Sequence, residues 1–225
     1  MQSFLESTKG QILIGAVILV IFLAILIIGN KKAGKKVDAK AMSVSALLVA
    51  IAYVLSMVTI WRMPQGGSVT LLSTLPIALC AYFFGTTKGV MAGVALGFLN
   101  LMLGPYVIHP AQMLLDYPLA FGAMGLGGFF RNQKHGLTKV YLFGLLARYV
   151  CAVLSGIIFF GSYAPENFNA VTWSLFYNMT YLAVEGAICV VLMNVPAVRK
   201  AFERLRTQVD APLTVPAQSV TEDVK

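Results

Sequence analysis

Apolar residues run through this chain in long stretches broken by short polar segments, and the pattern predicts helices near 11–29, 41–60, 69–85, 89–104, 112–130, 140–161 and 172–195. A helix needs roughly 20 apolar residues to cross a hydrocarbon layer about 30 Å thick. The third and fourth runs fall short of that length. Backbone polar groups in lipid must be paired within their own segment, so each run is expected to be helical. The fold class expected is all-α, a polytopic transmembrane bundle with a six-helix core over 41–198. An N-terminal transmembrane anchor (1–30) and a basic linker (31–40) precede that core, and a tail (199–225) follows it.

Composition agrees. With 58% hydrophobic and 12% charged residues and a mean hydropathy of +0.79, the 225-residue chain lies outside the range of soluble domains. The net charge of +8 could suggest nucleic acid, but its distribution points elsewhere. The connection "KKAGKKVDAK" carries Lys31, Lys32, Lys35, Lys36 and Lys40, which the positive-inside rule places in the cytoplasm. If the chain alternates sides, the same face receives Lys88, "RNQKHGLTK", Arg199, Lys200, Arg204 and Arg206, whereas the opposite loops bring only Arg62. The charge is therefore a topology signal, with the N-terminus outside, the C-terminus cytoplasmic and no nucleic-acid partner expected.

The run "ILIGAVILVIFLAILIIG" is too long for a signal-peptide core and is followed by lysines where a cleavage site would stand, so it reads as a retained anchor. "TQVDAPLTVPAQSVTEDVK" reads as a mobile cytoplasmic tail. Cys80, Cys151 and Cys189 lie in apolar runs without CxxC spacing, so neither a disulfide framework nor a zinc site is expected.

Asp116, Arg148 and Glu185 lie within or at the edge of predicted spans, where each charge would cost about 2.5–3.5 kcal/mol at a helix centre. Arg148 and Glu185 have two readings: they pair across adjacent helices, or Glu185 closes the floor of a binding cavity. Asp116 stands in "GPYVIHPAQMLLDYPLAFG", with Tyr106, His109, Gln112 and Tyr117 around it. That cluster is either an interfacial cap or the rim of a ligand site. Trp61, Gln65, Phe160, Tyr163, Trp173, Tyr177 and Asn178 flank the same side of the predicted bundle, and Asn178, Tyr181 and Glu185 share a helix face. Aromatic rings with a carboxylate suit a planar cationic solute, through stacking, cation–π attraction and charge pairing. On the second span Ser43, Ala46 and Ala50 form a small-residue stripe that serves either partner docking or internal packing.

The segments "MPQGGSVT", "HPAQMLLDYPLAFGAMGLGGFF", "RYVCAVLSGIIFFGSYAP" and "SLFYNMTYL" follow one another in an order that resembles the thiamine-specific substrate-binding subunits (S components) of energy-coupling-factor transporters. The resemblance covers about Ser43 to Pro196. It implies a six-helix subunit that captures thiamine near the outer face. It also implies that Ala46 and Ala50 dock onto a transmembrane coupling protein driven by two ATPases. Asp116 stands where the family has a ligand-binding glutamate, with Tyr117 beside it, and Trp61, Tyr106 and Asn178 resemble its other ligand contacts. Phe160 and Trp173 stand where the family usually has tryptophan and tyrosine. Two departures bear on the ligand: Ala152 replaces an expected pocket histidine, and Asp116 is one methylene shorter than the expected acid.

The ligand set expected is therefore Trp61, Gln65, Tyr106, Asp116, Tyr117, Phe160, Trp173, Asn178 and Glu185, without metal or resident cofactor. The chain lacks a P-loop, so ATP would be used by partner subunits. A solitary ion-coupled permease for thiamine or a related pyrimidine or thiazole compound is the alternative. An intramembrane enzyme built on His109, Asp116 or a serine is more remote, since HExxH and a suitably spaced Ser/His pair are both missing.

Overall fold

The computed structural model describes residues 39–210. The run at 11–29, the lysines of the linker before Lys40 and the tail beyond 210 lie outside the described residues. Helix α1 spans Ala39–Met57, α2 Leu75–Phe84, α3 Thr86–Asn100, α4 Pro110–Phe130, α5 Gly136–Phe159, α6 Ala170–Asn194 and α7 Pro196–Asp210. Helices α1 and α4–α6 are long and apolar enough to cross a bilayer. The chain is thus a multi-pass helical membrane bundle, as its hydropathy predicts.

The two short runs have a structural explanation. At 10 residues α2 rises only about 15 Å, yet all of it except Phe84 is buried. Its ends meet protein, not hydrocarbon, so its length need not match the membrane. Pro76 occupies the first turn, where its missing N–H breaks no helical bond. Gly85, at φ +88°, then turns the chain directly into α3. A side chain there would be strained and would meet the Arg131 guanidinium.

Helix α4 is the irregular member. It begins as an α-helix, passes through a π-turn over Leu115–Leu119 and ends in a tight 3-10 segment over Met124–Phe130. Pro118 lies within the π-turn and cannot donate to the preceding turn, and the wider helix accommodates its ring. In its best apolar window 61% of the residues are buried, against 17% for α1, so the broken segment is surrounded by protein. Glycines at every fourth position of α3, Gly89, Gly93 and Gly97, bring the two backbones together. A Cβ on Gly97 would sit 2.6 Å from the Tyr117 carbonyl oxygen and from Pro118 Cα.

Two features depart from the sequence expectation. The second span does not continue to residue 60. Helix α1 stops at Met57, and β1 (Thr59–Arg62) pairs antiparallel with β2 (Ser68–Thr70), adding a small hairpin to the helical bundle. The β-branched run Val58–Thr59–Ile60 favours extended backbone, and "PQGG" supplies the reversal, with Gln65 and Gly66 both at positive φ.

The tail expected from residue 199 is not a tail at its start. Arg199 and the residues up to Asp210 belong to α7, a helix with an amphipathic pattern that the sequence reading overlooked. Val195 is extended before Pro196, which breaks α6 and opens a new helix. Phe202 and Val209 pack on the main core. Arg206 donates to the Arg131 carbonyl (2.6 Å) and Asn132 Oδ1 (2.5 Å) and lies 4.5 Å above the Tyr82 ring. Lys40 donates to the Gln208 carbonyl (2.6 Å). Helix α7 therefore crosses one end of the bundle, tying the start of α1 to the α4–α5 connection.

This end is solid. Ile77, Cys80, Leu96, Met124, Val140, Tyr141, Cys189 and Met193 form a continuous buried core there. The hairpin and the connections before α4 and α6 lie at the other end, where the packing opens. Replacing Gly97 with leucine should force α3 away from the π-turn at a cost of about 1–3 kcal/mol. A clear drop in the melting temperature of the detergent-solubilised protein is expected. An unchanged value would contradict the close approach.

Candidate functional site

At the open end, a cavity of about 360 Å³ lies between the hairpin and helices α4, α5 and α6. Roughly 300–1,000 Å³ is usual for a small-molecule site. Among the predicted ligand residues, Gln65, Tyr106, Asp116, Tyr117, Phe160, Trp173 and Asn178 all line it. They come from sequence positions more than a hundred residues apart.

The hairpin forms one wall through Arg62, Met63 and the Gln65–Ser68 turn. The Gly67 N–H donates to the Tyr177 hydroxyl (2.9 Å), and that hydroxyl donates to the Pro64 carbonyl, so the turn is fastened to α6. Tyr106 and Phe160 form an aromatic pair with ring centroids 6.0 Å apart, and Trp173 and Tyr177 form another at 5.8 Å. Flat apolar faces and polar ring edges thus meet in one space.

Asp116 is held by Gln112, whose Nε2 donates to Asp116 Oδ2 at 2.6 Å. The same amide donates to the Tyr106 carbonyl (3.1 Å) and accepts from the Ile108 N–H (3.2 Å). Tyr117, the next residue, accepts from the Tyr106 N–H at 3.0 Å. The π-turn therefore presents an acid and a phenol together, and both fix the connection that enters α4. His109 is used structurally: its Nδ1 accepts from the Ala111 N–H (3.1 Å) and its ring stacks on Phe159.

Trp61 and Glu185, both expected to touch ligand, do not line the cavity. Trp61 is 50% exposed. A bulge between Thr59 and Trp61 interrupts the strand's alternation, so Thr59 and Arg62 line the cavity while Ile60 and Trp61 are exposed. Glu185 is 2% exposed and lies beneath the cavity floor. It accepts from Thr70 Oγ1 (3.1 Å), Ser73 Oγ (3.4 Å), the Thr74 N–H (3.2 Å) and Thr74 Oγ1 (3.0 Å). Thr70 and Ser73 are themselves lining residues, so Glu185 supports the floor from behind.

Nor do Arg148 and Glu185 pair with each other. The carboxylate is already surrounded by hydroxyl and amide donors, and the Arg148 guanidinium lies 4.0 Å over the Phe121 ring. Arg148 belongs to the cavity lining. Asn178 lines it too, although its amide is engaged by the protein: Nδ2 donates to the Ala152 and Ser174 carbonyls (3.2 and 2.9 Å) and Oδ1 accepts from Tyr181 (2.9 Å). Its principal work in the structure is to tie α6 to α5.

Sequence reasoning did not assign Asn100, Arg148 or Ser155 to the site. Each lines the cavity and carries a buried polar atom without a hydrogen-bond partner: Asn100 Oδ1, Arg148 Nη1 and Ser155 Oγ. Arg148, Ala152 and Ser155 follow one another at i, i+4 and i+7. That polar stripe on an otherwise apolar helix was the available signal.

Residues 42–203 match the family described as Thiamine transporter protein (Thia_YuaJ). Thiamine transporter ThiT of Bacillus subtilis (strain 168) is 34% identical over 164 residues, covering 66% of this chain and 85% of that protein. The protein of the same name from Lacticaseibacillus paracasei is 32% identical over 138 residues, covering 54% of this chain and 69% of its own. The solved structure of ThiT from Listeria monocytogenes superposes with a TM-score of 0.59 at 25% identity, over 72% of this chain and 96% of that one.

Because Glu185 supports the floor rather than facing the cavity, its replacement should act on stability first. Glu185→Leu leaves buried donors unanswered at about 1–3 kcal/mol each. The ligand-free protein should melt markedly earlier, with Glu185→Gln intermediate. A normal melting curve with impaired ligand binding would return Glu185 to the site.

Proposed function

Since the chain belongs to the thiamine transporter protein (Thia_YuaJ) family, we propose that it captures thiamine in the cavity beneath the hairpin and delivers it as the substrate-binding subunit of an energy-coupling-factor transporter. The observation that carries this reading is one cavity combining Asp116 with the Tyr106/Phe160 and Trp173/Tyr177 ring pairs. Thiamine joins a cationic thiazolium to an aminopyrimidine, two flat rings that such walls accommodate. A ring cation gains about 0.5–2 kcal/mol from an aromatic face, more as water is excluded, and Asp116 supplies the counter-charge. The relatives are named as transporters, which fits capture rather than catalysis.

The orientation follows from charge. Lys40, Arg131, Asn132, Tyr82 and Arg206 of α7 meet at the solid end, which gathers basic residues of the described chain. Placing this end in the cytoplasm obeys the positive-inside bias and opens the cavity to the exterior.

Ser43, Ala46 and Ala50 are exposed on α1, so their stripe is free for close helix approach by a coupling protein. ATP hydrolysis would come from that protein's two ATPases. Ala46 and Ala50 replaced together by leucine should abolish uptake while leaving thiamine affinity intact. Simultaneous loss of both would mean the stripe packs within this chain.

Titration of the purified full chain with thiamine, following the fluorescence of Trp173 at the cavity wall, should give saturable quenching. Asp116→Asn should weaken binding by about 1–3 kcal/mol, as expected for a hydrogen bond to a charged group. Absence of binding overturns the reading. Accumulation by the reconstituted chain alone, driven by an ion gradient, would replace the subunit with a solitary permease.

A further inference from the structure

The cavity holds a cation as well as an acid, and a site for a cationic vitamin has no evident need for one. The Arg148 guanidinium lies over the Phe121 ring, 4.0 Å from its centre, a cation–π contact that uses none of its N–H donors. Nη1 is buried and has no partner. Two turns along the same face, Ser155 is 1% exposed and its Oγ is also unanswered. Between them stands Ala152, whose methyl group leaves the intervening space open to the cavity. A buried charged donor and a buried hydroxyl, both on residues that line one cavity, are costly unless something bonds to them when the site is filled.

Both groups can donate to the same kind of partner. Asp116 lies near both groups, but its Oδ2 is taken by Gln112 at 2.6 Å, and among the described residues it forms neither an ion pair with Arg148 within 4.0 Å nor a hydrogen bond with Ser155. Glu185 is committed to Thr70, Ser73 and Thr74. We infer that Arg148 and Ser155 form a subsite for a hydrogen-bond-accepting oxygen of the ligand. The inference rests on the thiamine reading, in which that oxygen is the hydroxyl on the ethyl arm of the thiazolium. Asp116 then answers the ring cation and Arg148 the arm on that same ring, so the cavity reads two features of the thiazolium.

The test compares thiamine with its deoxy analogue, in which hydrogen replaces that hydroxyl, by calorimetry on the solubilised full chain. A charge-assisted hydrogen bond predicts that the wild type prefers thiamine by roughly tenfold to a hundredfold. Arg148→Met should bring the two affinities together without weakening the analogue, while Arg148→Lys, which keeps a donor, should retain part of the preference. Ser155→Ala should narrow the gap without closing it. Equal wild-type binding of the two compounds overturns the subsite and leaves the thiamine reading standing. An Arg148→Met variant that loses both ligands by the same factor also overturns it, because a structural role moves affinity and not preference. Binding of neither compound to the wild type removes the thiamine reading and the subsite with it.

Discussion

A proline-broken helix carrying a carboxylate can exist at membrane depth only where protein, not lipid, surrounds it. Helix α4 meets that condition, and much of the bundle follows from meeting it. Helices α1, α5 and α6 have mostly outward-facing surfaces, whereas α4 is largely enclosed. The glycine row of α3 allows the enclosure, because only a backbone without side chains can approach the π-turn at Tyr117 and Pro118 so closely. The bulge in α4 in turn places Asp116 and Tyr117 on the cavity wall. Packing at α3 and chemistry at Asp116 are therefore linked through one irregular turn.

The division into a solid end and a hollow end has a polar boundary. Glu185, Thr74 and Tyr141 form a buried network, with Thr74 Oγ1 3.0 Å from the Tyr141 hydroxyl and 3.0 Å from Glu185. On one side lies the apolar core, and on the other lie Thr70 and Ser73 at the cavity floor. A network satisfied internally can be buried without a ligand and holds β2, α2 and α6 in register. That is a structural use of a membrane carboxylate, distinct from the use of Asp116, which faces open space.

Hydropathy was sufficient to reveal the helical bundle, since long apolar runs in a low-charge chain have few other solutions. Charge asymmetry correctly grouped Lys40, the 131–139 connection and the residues of α7, because side preference acts through simple proximity to the membrane surface. The hairpin was harder to see. Val58, Thr59 and Ile60 continue the apolar run of α1, and only the following "PQGG" marks the change from helix to strand. Helix α7 was hidden for the opposite reason: its apolar stripe is narrow, and its many charges read as an exposed tail.

Site residues divided along similar lines. Aromatic and acidic side chains in an oily sequence are conspicuous, which is why Tyr106, Asp116, Tyr117, Phe160 and Trp173 could be singled out. Which polar groups face each other is a property of three-dimensional packing. Arg148 and Glu185 look complementary one helix apart, yet Glu185 meets hydroxyls from the start of α2 and Arg148 meets a ring from α4. The distinction that matters is between polar groups the protein satisfies and those it leaves open. Gln112, Asn178 and Glu185 have their partners within the chain, so they set positions. Asn100, Arg148 and Ser155 retain unanswered atoms at the cavity, so selectivity is expected to reside with them and with Asp116. A cavity with one acid and one guanidinium favours a ligand that carries a cation and an acceptor at separate places over one that merely carries positive charge, since the guanidinium repels any cation that does not reach Asp116.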